Sequence, residues 1–142
     1  MFLRDVNLSA RQIAVSGLKA QRTRMNIIAN NIANAETTRT PEGGAFRRQL
    51  TVFEGNRMKP GFNPDKAGVR VKHVVHDMSE LRTIHDPSHP DANEQGYVEY
   101  PNVNIAVEMA NLVSAQRAYE ANISVMVSHS RMSEAAMDIL LR

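Results

Sequence analysis

The chain contains no cysteine and no tryptophan, and aromatic residues make up only 5 % of it. Without thiols it can form no disulfide, no thiolate zinc site and no cysteine nucleophile. Few large rings mean a thin or divided core. The eight methionines partly replace them, and methionine fits irregular contacts in cores and at partner surfaces alike. Apolar runs stop at three or four residues, as in Val125–Val127 and Ile139–Leu141, so no segment is expected to insert in a bilayer. The opening MFLRDVNLSARQ lacks the continuous apolar stretch of a secretory signal, so any export is expected to proceed without a cleaved signal peptide.

Sequence motifs for chemistry are equally scarce. There is no phosphate-binding glycine loop, dinucleotide fingerprint or HExxH pair. Ser128-His129-Ser130 are helical neighbours whose side chains diverge, which does not make a nucleophile and base. His73 and His76 fall on opposite faces of a regular strand, which disfavours a shared metal ion. Asp91–Gly96 resembles the start of a calcium loop, but Asn102 stands where the twelfth position needs a bidentate glutamate. Lys19, Arg22 and Arg24 offer charge without an aromatic stacking surface. The expectation is therefore no enzyme, no metal, no cofactor, no small-molecule substrate and no nucleic acid.

What is present is helical patterning at both ends. The 142 residues suit one domain or a small domain with long extensions. From about Asp5 to Asn34 there is no proline, and only Gly17 interrupts helix propensity. Ala14, Leu18, Gln21, Met25, Ile28 and Ile32 fall in one stripe. Asn26, Asn30, Asn31 and Asn34 lie on the far side with Ile13 and Ile27. From residue 1 through Asn34 there are five basic residues against Asp5 alone, although the whole chain is only +2.

The second helical segment runs from about Asn104 to Leu141. Ile105, Met109, Leu112, Gln116, Tyr119, Ile123, Met126, Ser130, Ser133, Met137 and Leu140 step alternately by four and three, the pattern of a heptad seam. Between the two, Glu36–Pro101 holds all six prolines and six of the seven glycines. Alternation in Phe46–Phe53 and Val69–Asp77 predicts strands of a small sheet, with Glu80–His85 a further candidate. PEGG at 41–44, KPGFNP at 59–64 and the stretch 86–96 read as turns or loops. Pro101 ends an extended stretch, and Asn102 or Asn104 is placed to cap the helix that follows.

The fold class expected is mainly α with a small β insertion. It comprises an N-terminal helix within 1–35, a β-rich insertion over 36–101 and a C-terminal helix within 102–142. The long terminal helices pair as a coiled-coil layer, with a β-rich lobe between them.

Ser16–Thr38 (SGLKAQRTRMNIIANNIANAETT) resembles the N-terminal signature of the bacterial flagellar rod and hook family. Thr38–Gln49 (TRTPEGGAFRRQ) and Asp86–Met126, with its GYVEYPNVN, resemble the continuation found in proximal-rod members of that family. The resemblance covers well over half of the chain and is weakest over about 54–82. Ala45-Phe46 stands where a small residue and tyrosine would be expected. The resemblance implies a non-enzymatic structural subunit of the periplasmic rod in the flagellar basal body. Such a subunit is exported by the flagellum's own type III apparatus and assembles head-to-tail into the tubular shaft that transmits torque.

Implied partners are other rod proteins, copies of this chain and the export-gate adaptor. The assembly surface expected on the first helix comprises Ile13, Leu18, Met25, Ile27, Ile28, Asn30, Asn31, Ile32 and Asn34. Its asparagine face would meet another subunit, with amides bonding between helices and fixing register. Tyr97, Tyr100, Pro101 and Asn102 follow in the connector. Met109, Leu112, Tyr119, Ile123, Met126, Met137 and Leu140 complete the surface on the second helix. The alternative on the residues alone is a self-contained helical hairpin that binds an acidic protein partner.

Overall fold

The computed structural model describes residues 2–55 and 68–140, with side chains described for 10–55 and 68–139. Helix α1 spans Phe2–Ala33 and helix α2 spans Ile105–Leu140. Between them lie strands β1 (Gln49–Gly55), β2 (Val69–His76), β3 (Arg82–His85) and β4 (Tyr97–Tyr100). At about 1.5 Å per residue the helices are roughly 48 and 54 Å long.

The helices pack antiparallel. Asn31 meets Glu108 near one end, and Gly17 meets Asn122 further along. Moving toward the start of α1 therefore moves toward the end of α2. Small side chains line this contact. Ala14, Gly17 and Ala115 are buried in it, and among the described side chains Ile28 is the one large aliphatic residue of α1 in the buried class. A Cβ on Gly17 would lie 2.8 Å from the Asn122 amide oxygen, so glycine is what lets the helices approach here.

The expected small sheet is instead two separate ribbons of two strands each. β1 pairs antiparallel with β2, and β3 with β4. The first ribbon carries a bulge at Lys72, since Val52 faces His73 while Phe53 faces Val71. Such a bulge bends the ribbon and tightens its twist. β1 begins three residues later than the alternation from Phe46 suggests, because the preceding backbone bonds elsewhere. The Phe46 amide donates to the Thr37 carbonyl, and the Arg48 amide to the Asn102 side chain. The KPGFNP turn lies outside the described residues.

The PEGG turn is observed. Gly43 and Gly44 take φ of 95° and 75°, a region open to glycine, and the Thr40 amide donates to the Gly44 carbonyl. Of the two asparagines placed to cap α2, Asn104 does so: its side-chain oxygen accepts from the amides of Ala106 and Val107. Asn102 is used differently, tying Arg48 to Asp77 and Ser79.

Candidate assembly interface

Helix α2 presents different chemistry on different sides. Toward α1 it places Glu108, Leu112, Ala115, Tyr119, Asn122, Met126, His129 and Ser133, all buried or half-buried. These residues step by four and three. They share Leu112, Tyr119, Met126 and Ser133 with the seam read from the sequence. The other half of that seam lies outside: Ile105, Met109, Gln116, Ile123, Ser130 and Met137 are exposed. The inner positions are instead Glu108, Ala115, Asn122 and His129. Hydrophobicity alone therefore misplaces half of the contact, because small and polar side chains fit against α1 beside Leu112, Tyr119 and Met126.

The consequence is a helix with apolar residues on both outer flanks. Ile105, Met109, Ile123 and Val127 lie on one, and Val107, Val125, Met132 and Ile139 on the other. Their exposure ranges from 41 % to 76 %. A helix apolar on so many sides is ordinarily buried. The side chain of Leu140 lies outside the described residues.

Helix α1 is covered by its own chain. Of its asparagine face, expected to meet another subunit, Asn31 is turned to the β1–β2 ribbon while Asn26 and Asn30 are exposed. Asn31 is only 1 % exposed. Its side-chain oxygen accepts from the Gln49 amide, and its nitrogen donates to the Gln49 carbonyl, each at 2.8 Å. The amide thus pairs with strand backbone as a neighbouring strand would, so Asn31 is used within the chain. Asn30 is exposed and reaches the Gln49 side chain at 3.3 Å. Asn34 closes the helix end by donating to the Asn30 carbonyl. Ile27 and Ile28 line a groove with Leu50 and Phe53 of β1. Ile13 remains 45 % exposed, whereas Leu18, Met25 and Ile32 are half-buried.

Where the helices and the ribbon meet, the junction is polar and buried. The Glu108 carboxylate is 1 % exposed and accepts from Arg48 Nη2 at 2.6 Å, Arg48 Nε at 2.9 Å and Asn31 Nδ2 at 2.9 Å. Arg48 also lies 3.5 Å from Asp77. The Ser79 backbone amide donates to Asp77 and holds its carboxyl below the usual range, helped by the Ser79 hydroxyl and Arg48. Glu54 is lowered too, chiefly by its hydrogen bond from Arg70, at a half-buried position on the ribbon.

In the connector, Pro101 is buried, Tyr100 is half-buried with Arg82 6.0 Å from its ring centre, and Tyr97 is exposed against the edge of His85. Sequence reasoning missed Arg48, Glu108 and Ser16. The available signal was Glu108 itself, seven residues before Ala115 and fourteen before Asn122, a charge in register with small residues.

Among the described residues no group of three metal-ligating side chains comes together, and no helix is long and apolar enough to cross a membrane.

Comparison with known proteins gives this surface its context. Residues 12–39 match the family model described as flagella basal body rod protein, and residues 94–139 match the model of the flagellar basal body rod FlgEFG protein C-terminal. Both helices thus carry the marks of flagellar rod proteins as a class. The flagellar basal-body rod protein FlgC of Borreliella burgdorferi is 44 % identical, covering 93 % of this chain and 96 % of the relative. The FlgC of Bacillus subtilis is 34 % identical over 89 % and 93 %. That of Yersinia enterocolitica is 39 % identical over 84 % and 87 %. The chain belongs to the FlgC family of flagellar basal-body rod proteins.

Proposed function

We propose that this chain is a structural, non-enzymatic subunit of the proximal flagellar rod, and that its terminal helices complete their packing within the polymer as a coiled-coil layer. In this reading it assembles head-to-tail with other axial proteins and with copies of itself. An interface that does not close on itself builds a tube, which is what a torque-carrying shaft requires. The segments 1–35 and 102–142 form the helical wall, and 36–101 forms the β-rich part. The subunit resides in the periplasmic rod, reaches it through type III export without a cleaved signal, and has the export-gate adaptor among its neighbours.

The observation that carries this is the pair of apolar flanks on α2, left open by a chain whose relatives are rod proteins. Ile123 and Met109 on one flank, and Val125 on the other, are the residues proposed to meet neighbours. Met137 extends the surface toward the helix end. A self-contained binding module is not favoured, since the relatives over most of the chain are rod components.

Replacing Ile123 and Val125 together by glutamate in a strain that depends on this chain tests the reading. Swimming should be lost while the protein is still made and exported. Normal swimming with both flanks charged would sink it.

A further inference from the structure

The β1–β2 ribbon is fastened to α1 at two places. At one end, Asn31 clasps the Gln49 backbone at the start of β1. At the other, the Val69 amide at the start of β2 donates to Ser16 Oγ at 3.0 Å, and that hydroxyl donates to the Ile13 carbonyl at 2.7 Å. A side chain on Gly68 would collide with Ser16, so the chain must pass α1 closely there, and its φ of 128° also favours glycine.

Ser16 and Asn31 are separated by about 22 Å along a helix rising ~1.5 Å per residue. Gln49 and Gly55, the latter paired with Val69, are about 20 Å apart at ~3.3 Å per residue. The two lengths agree, so the ribbon lies lengthwise on α1, with β1 running opposite to the helix.

We propose that Asn31, Arg48 and Glu108 form an orientation lock: they hold the ribbon along α1, and their buried charge serves direction rather than net stability. Hydrophobic contact alone is permissive about angle. The groove residues Ile27, Ile28, Leu50 and Phe53 would tolerate a swivelled ribbon nearly as well. A guanidinium with both Nε and Nη2 on one carboxylate oxygen, beside an amide clasping strand backbone, accepts far fewer directions. A buried ion pair can often be replaced by apolar residues of similar volume without loss of stability, which separates the two roles. The lock joins three elements, with Asn31 on α1, Arg48 just before β1 and Glu108 in the first turn of α2. It keeps the ribbon on α1 and leaves α2 as the open helix. The inference rests on contacts within one chain and does not depend on the assembly reading.

The absence of cysteine makes the test clean. Nitroxide labels on Gln116→Cys and His73→Cys, both exposed positions, report the helix-to-ribbon distance in the full chain by pulsed dipolar spectroscopy. The parent should give one narrow distribution. The paired replacement R48M/E108L is made with Ser16→Ala, so that the far fastening does not itself hold the direction. It should keep the helical circular dichroism and thermal midpoint of Ser16→Ala alone but broaden that distribution at least about twofold, since apolar packing is retained and direction is lost. Asn31→Ala in the same background, which leaves the ion pair in place, should broaden it as well. A distribution as narrow in the paired variant as in Ser16→Ala alone overturns the proposal. So does a broad distribution in the parent, an unchanged width in Asn31→Ala, or unfolding of the paired variant, which would assign the charges to stability.

Discussion

The two long helices solve the same packing problem in opposite ways. Helix α1 is covered on two sides by its own chain, by α2 through Ala14, Gly17 and Ile28 and by the ribbon through Ser16, Ile27 and Asn31. What it leaves to solvent includes the basic residues Arg11, Lys19 and Arg22. Helix α2 offers Glu108, Ala115 and Asn122 to α1 beside Leu112, Tyr119 and Met126, and keeps Ile105, Met109, Ile123, Val125 and Ile139 outside. Over its described side chains α1 is largely covered by the fold, whereas α2 keeps apolar flanks exposed, and in the proposed reading neighbouring subunits would cover them. Apolar content therefore does not say which side of a helix faces its partner within the chain. Size and hydrogen-bonding decide that, and the large apolar residues go where more surface remains to be buried.

This contrast can be broken at its inner side first. Glu108→Leu alone leaves the Arg48 guanidinium and the Asn31 amide facing a hydrocarbon. It should destabilise the chain by about 3 kcal/mol, the low end for a broken buried pair because Arg48 keeps some solvent. Chemical denaturation measures this, and R48M/E108L should recover most of the loss.

Gly17→Ala should come next, lowering stability by about 1 kcal/mol, since the overpacking against the Asn122 side chain outweighs the gain in helix propensity. Adding Asn122→Ala should relieve it, and a lack of rescue would detach the two residues. On the outer side of α2 the expectation reverses. Ile123→Glu should change the stability of the isolated chain by no more than about 0.5 kcal/mol. The same change should abolish incorporation into the rod, read as loss of swimming. A large loss of intrinsic stability would mean that this flank already has a partner within the chain.

The smallest effect concerns pH. The Asp77 carboxyl is lowered from its ordinary 3.8 in the folded chain. Its contribution is therefore present above that value and is lost as the pH falls through the lower, folded one. Acid titration of the unfolding free energy should show a shallow decline below about pH 4, set by the unfolded carboxyl. The decline should be weaker in Asp77→Asn. An identical profile in that variant would remove Asp77 from the account.

Much of the architecture was legible from patterning. Helix limits near Asp5–Asn34 and Asn104–Leu141 lie close to the observed Phe2–Ala33 and Ile105–Leu140, because both segments lack proline and carry long apolar periodicity. Val69–Asp77 was legible from alternation of β-branched residues, and Asn104 from cap chemistry. What escaped was long-range. Nothing local in ANNIAN says that Asn31 will clasp Gln49 while Asn30 stays in solvent, since the two differ only in which way the ribbon approaches. The same limit applies to α2. A seam of Ile105, Met109, Ile123 and Met137 has better hydrophobic credentials than Glu108, Ala115 and Asn122, and only the closeness of α1 reverses the choice.

The short side chains between α1 and α2 have a mechanical corollary. Alanine and glycine have no rotatable side-chain torsion through which a load could be absorbed, and tightly packed interiors compress little and transmit strain. A twisting force applied to one helix near Ala14, Gly17 or Ala115 should thus pass to the other almost without lag at those points, stiffening the pair there as bonded layers stiffen a laminated beam.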